Sequence, residues 1–169
     1  MRKMLLPFLF VSIMLGNPNL CNAHFSAEQY DLAQHQLEEI TPKLTGYINT
    51  LEYIATDLEN LASQIQDESQ VCTIWVVSEI VEHQSIRAWY NRLLLQNVSS
   101  MREAVNLGQM ATILQFSKEP LSNGIHRLNR IYSQTVAHEH LKLYENARET
   151  MYSLITVYDQ AIVAIRAAI

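Results

Sequence analysis

Cysteine, glycine and proline are all scarce in this chain of 169 residues, at two, four and four, and 12 basic side chains face 17 acidic ones. Each shortage excludes something. Two cysteines build neither a disulfide scaffold nor a structural zinc site. A formal charge of -5 argues against a nucleic-acid binder, which needs a basic surface to displace counterions from phosphates. Few glycines and prolines, with no apolar-polar alternation, leave nothing that reads as a strand. Beyond the N-terminus no apolar run approaches the ~20 residues that cross a bilayer, because Asp159 and Arg166 interrupt the last one.

The N-terminus reads as an export signal. Arg2 and Lys3 form a positive start, Met4 to Gly16 a short apolar stretch, and Cys21-Asn22-Ala23 a small-x-small cleavage site. Residues 1–23 are therefore expected to be a signal peptide and 24–169 a single helical domain, periplasmic or secreted, with no stable membrane insertion after cleavage. Cleavage would remove two basic residues and no acidic ones, leaving ten against 17 and a charge of -7. Cys72 would then be the lone thiol. Its neighbours Val71, Ile74 and Trp75 lead to the expectation that it is buried. His24 would become the first residue, where its amine and imidazole could chelate copper only if further ligands were brought close.

What is abundant is helical periodicity. One heptad position runs Tyr30, Leu37, Leu44, Leu51, Leu58, Ile65 and its partner Ala33, Ile40, Tyr47, Ile54, Leu61, a coiled-coil-like seam that keeps phase across Pro42. A helix over 26–67, kinked at Pro42, follows. A second helical region, 70–118, carries two apolar stripes, Ile74, Val77, Val81, Ala88, Leu95 and Trp75, Ile86, Trp89, Leu93, and so reads as central. It is interrupted at 97–100, where Ser100 and Glu103 have capping-box spacing. The tract from Lys118 to Gly124 reads as a loop. The last region, 122–169, carries one stripe from Ile125, Leu128 and Tyr132 through His140, Met151 and Tyr158 to Ile165.

The predicted fold is all-α: an antiparallel bundle of three long kinked or broken helices about 65 Å in length, or a compact four- to five-helix bundle if the breaks are true turns. Coiled-coil-like heptad packing is expected in either. In the long form, Pro42, the break at 97–100 and His138 to His140 fall at one height, a layer where a hinge or small polar pocket would form.

Chemistry is harder to find. No pair of Glu-x-x-His segments suits a di-iron bundle, and no Cys-x-x-Cys-His attaches haem. His138, Glu139 and His140 are neighbours on a helix, about 100° apart in succession, and cannot all face one ion. Nucleophile, zincin and phosphate-loop motifs are absent, and little loop is available to carry catalytic residues. No catalytic residue, metal site or cofactor is therefore expected. The candidate binding residues are Trp75, Glu82 and Trp89, a carboxylate between two indoles on one stripe, together with His138 and His140. A direct pairing of Glu82 with His140 is not expected.

The expectation for function is a non-enzymatic exported bundle that binds another protein as an adaptor, chaperone, inhibitor or effector, with Tyr53, Tyr90, Tyr144 and Tyr152 as anchors where exposed. A homodimer through the heptad seams is a second expectation for the partner. The alternative is a periplasmic sensor or carrier for a small molecule or metal. Asn97-Val98-Ser99 is a glycosylation acceptor if the source is eukaryotic.

Overall fold

The computed structural model describes residues 27–97, 104–133 and 138–169, with backbone alone at 104, 105, 138 and 139. Four helices account for almost all of them: α1 (Ala27–Ala62), α2 (Glu68–Gln96), α3 (Ala104–Tyr132) and α4 (His138–Ala167). The described residues contain no strand. The compact form of the bundle is the one adopted, and the long three-helix form is not. The proposed signal segment, His24 and Ser100 with Glu103 lie outside the described residues.

The seam read along α1 is the core of the bundle. Ala33, Leu37, Ile40, Leu44, Leu51, Ile54 and Leu58 are all buried, as are Ile48, Ala55 and Ala62 beside them. The wider buried stripe reflects two neighbours, since α1 packs against both α2 and α4. Pro42 sits inside α1 without ending it. Proline offers no N–H to the carbonyl four residues back, but the buried leucines on either side hold the helix together across the gap. Thr41 adds a hydroxyl bond to the Leu37 carbonyl at 2.8 Å.

The first connection is closed by a cap. The Asp67 carboxylate accepts from the backbone N–H groups of Ser69 and Gln70 at 2.9 and 3.1 Å, satisfying donors that have no partner in the first turn of a helix. α2 then runs antiparallel to α1: Ser78 donates to the Ala55 carbonyl, Ser85 to Glu52 and Arg92 to Thr45. α3 and α4 form the other antiparallel pair, crossed by Lys118 with Asp159, Arg148 with Asn129, and Tyr132 with Glu145. The order around the bundle is α1, α2, α3, α4, with α2 and α3 the least extensively packed neighbours.

Two expectations about breaks fail. Lys118 to Gly124 is not a loop but the middle of α3, with Pro120 inside the helix. Losing one helical bond at proline costs about 3 kcal/mol in an exposed helix. Here Leu121, Ile125 and Leu128 are buried in the core, and the Lys118 pair with Asp159 fastens the same turn to α4. The chain instead reverses between Tyr132 and His138. The periodicity does not mark this reversal, because Ile125 and Leu128 before it and His140 and Tyr144 after it are all buried in one core, and the stripe continues in phase across two helices.

The common layer also divides. Pro42 is level with Leu95 and Gln96, and together with Leu37 and Thr41 they border a mainly apolar hollow of 270 Å³. The start of α4 lies at the other end. Asn91 and Tyr158 are in contact, and α2 and α4 run parallel, so at about 1.5 Å per residue His140 is roughly 30 Å along the bundle from Pro42.

A polar cluster is built into the core at the level of Asn91. Its amide donates to the Tyr158 hydroxyl oxygen at 2.9 Å, and its carbonyl oxygen lies 3.4 Å from Ser117 Oγ. Burial pushes the Tyr158 phenol up to about 12, with the Asn91 bond acting in the opposite direction. Tyr144, as deeply buried, is also pushed up to about 12 by burial, but its hydroxyl has no partner.

A candidate binding face on the second helix

α2 carries two heptad lines. The inner line, Ile74, Val77, Val81, Gln84, Ala88, Asn91 and Leu95, is buried. The outer line, Cys72, Trp75, Glu79, Glu82, Ile86, Trp89 and Leu93, is offset by two residues, which on a helix is about 200°. It therefore faces away from the core. Trp75 is 47% exposed and Trp89 40%, with Ile86 exposed between them. This overturns the reading of α2 as a central helix. Two apolar stripes imply two neighbours, and among the described residues helices cover only one of them.

The sequence-derived trio Trp75, Glu82 and Trp89 does share a face, and all three are exposed to solvent. Glu82 stands in the open between the indoles, exposed to water. Trp89 is held by its neighbour Tyr90, whose ring meets it edge to face at 5.2 Å and 78°, a geometry aromatic quadrupoles favour. The exposed parts of Trp75, Ile86, Trp89 and Tyr90 together present on the order of 400 Å². Cys72, expected to be buried, is exposed at the start of the same line. Its apolar sequence neighbours Ile74 and Val71 turn toward the core while it turns away.

The histidine candidates do not join this face. His140 is buried at the start of α4 and is not brought to Glu82. His138 opens α4, and its side chain, like that of Glu139, lies outside the described residues. Among the described residues, no three His, Cys, Asp or Glu side chains come together as a metal site. Tyr53, Tyr90 and Tyr152 are exposed as anchors require, whereas Tyr144 is a core residue. No described helix is long and apolar enough to cross a membrane.

A second feature has no mark in the sequence. Arg87 of α2 and Arg127 of α3 border a common groove between these two helices. Nothing in the primary structure relates residues forty apart on different helices, so no local pattern pointed to it. The chain matches no family model, no curated protein and no solved structure.

Proposed function

We propose that this is an exported, non-enzymatic helical bundle, periplasmic or secreted, that works by binding another protein through the outer face of α2. The observation that carries the reading is the heptad line from Cys72 to Leu93, which among the described residues no helix covers and whose two tryptophans are nearly half exposed. Water-exposed tryptophan at heptad spacing leaves apolar area uncompensated, and Trp is the residue type most enriched among interface hot spots.

The charge pattern selects the partner. Glu79 and Glu82 interrupt the apolar line at its middle, with Trp75 on one side and Ile86 and Trp89 on the other. Two copies paired antiparallel along this line, with Trp75 against Ile86, would set Glu79 against Glu82 twice, and like charges desolvated together are costly. A parallel pairing sets each glutamate against its own copy. The face therefore suits a different chain: an amphipathic helix with apolar anchors flanking one or two Lys or Arg residues. Burying apolar area supplies the affinity, and the central charges set register.

The test compares the tagged mature chain with Trp75→Ala/Trp89→Ala in capture from the native envelope or medium, while light scattering reports the oligomeric state of the purified protein. The expected result is a monomer that captures a protein containing a basic amphipathic helix, lost in the double variant and weakened at high salt. Equal capture by both forms, or a stable homodimer abolished by the tryptophan substitutions, would refute it.

A further inference from the structure

The groove between α2 and α3 measures 370 Å³, within the ~300–1,000 Å³ usual for small-molecule sites. Its inner edge is where Gly124 lets α3 lie close against α2. Gly124 faces α2 directly, and a Cβ added to it would meet Gln84 Nε2 and the Ile80 side chain at 3.5 Å. Arg87, His83 and Gln84 come from α2, and Asn123, Gly124 and Arg127 from α3.

Two observations mark it as more than a surface dent. First, among the described residues the ion pairs are His35 with Glu39 and Lys118 with Asp159, so Arg87 and Arg127 face the groove without an acidic partner in a chain of charge -5. Second, Gln84 lines the groove while only 7% exposed, and its carbonyl oxygen has no hydrogen-bond partner. A buried polar atom left unpaired is costly, and rotation of the amide exchanges its oxygen and nitrogen, so the side chain can offer an acceptor or a donor.

The geometry points to a binding site for a short dicarboxylate that carries a hydroxyl or amino group. Gln84 faces Gly124 and Asn91 faces Ser117, a register that sets Arg127 level with Val81. Arg87 lies six residues, about 9 Å, further along the groove. Two guanidinium groups approaching from opposite helices and opposite ends each form paired bonds to a carboxylate, and Gln84 and Asn123 between them meet the donor on the linking carbons. Glu119 also borders the groove and opposes any anion there, so two guanidinium groups held apart favour a ligand with two separated carboxylates over a compact phosphoryl group. The site uses the side of α2 next to α3 and is independent of the outer tryptophan face.

Titration of the full mature chain with L-malate, succinate and inorganic phosphate, followed by amide NMR shifts and calorimetry, tests this. Malate is expected to give saturable shifts concentrated in residues 80–87 and 119–127 and to bind several-fold more tightly than succinate. Arg87→Ala and Arg127→Ala should each weaken it at least tenfold, whereas Lys142→Ala, an exposed cation elsewhere on α4, should not. Gln84→Leu, checked for folding by circular dichroism, should erase the preference for malate over succinate. Shifts spread over the surface, an equal loss with Lys142→Ala, phosphate binding as tightly as malate, or a malate preference that survives Gln84→Leu would each overturn the assignment.

Discussion

Tyr144 and Tyr158 offer a controlled comparison, because both are 1% exposed and removing the hydroxyl from each should change stability in opposite directions. Tyr158→Phe deletes the acceptor of the Asn91 amide. Asn91 is buried on the inner line of α2, so its N–H loses its partner with no water to replace it, at a cost of about 1–3 kcal/mol. Tyr144→Phe removes a buried hydroxyl that has no partner, so the desolvation already incurred by the folded state is recovered, making the variant neutral or stabler by about 1 kcal/mol. For a chain of this size each kcal/mol moves Tm by about 2–4 °C. Thermal and urea unfolding followed by circular dichroism should therefore separate the two variants by several degrees, with Tyr158→Phe below the parent. Replacing both partners, Asn91→Leu with Tyr158→Phe, should recover much of the loss, since two apolar groups leave nothing unsatisfied. Equal losses in the two single Phe variants, or additive losses in the double variant, would refute the claim that the Asn91 bond distinguishes these tyrosines.

The remaining predictions concern local geometry and pH. Gly46→Ala should stabilise by about 0.5–1 kcal/mol through helix propensity, because its added Cβ meets nothing within 4 Å. Gly124→Ala should forfeit that gain, since its Cβ lies 3.3 Å from the buried Met151 sulfur, and Gly124→Val should cost about 1–3 kcal/mol by overpacking; chemical denaturation measures all three. Asp67→Ala should cost about 1 kcal/mol by uncapping α2, read as a lowered urea midpoint. Tyr144 and Tyr158 are held in the folded state at about 12, above the ordinary phenol value of 10.0. The folded chain thus retains protons that the unfolded chain releases, so this stability is complete below pH 10 and lost as pH rises toward about 12. An alkaline unfolding transition coincident with tyrosinate absorbance checks it. Cys72, exposed in the fold, should be labelled completely by a thiol reagent without denaturant, as counted by mass spectrometry.

Local patterning determined the helical class, the α1 seam and the buried stripe of α4, because heptad spacing of Leu, Ile and Ala has one low-energy use in water: burial of one helical face. It also placed Trp75, Glu82 and Trp89 on one line of α2. What periodicity cannot say is which of two apolar lines finds a partner. Val77 and Trp75 carry equally clear signals, but among the described residues only the inner line meets other helices, and that depends on where α1 and α3 lie. The same reason explains the other departures. Pro120 and Gly124 read locally as a loop, and tertiary packing around Leu121 and Met151 outweighed them. Cys72 has apolar neighbours in sequence, but Val71 and Ile74 turn toward the core while it shares the exposed line with Trp75. Arg87, Gln84 and Arg127 carry no shared motif, and only the antiparallel register of α2 and α3 brings them to one groove. Sequence alone determined what each helix would bury; the packing decided what was left uncovered, since exposure is a property of neighbours and not of residues.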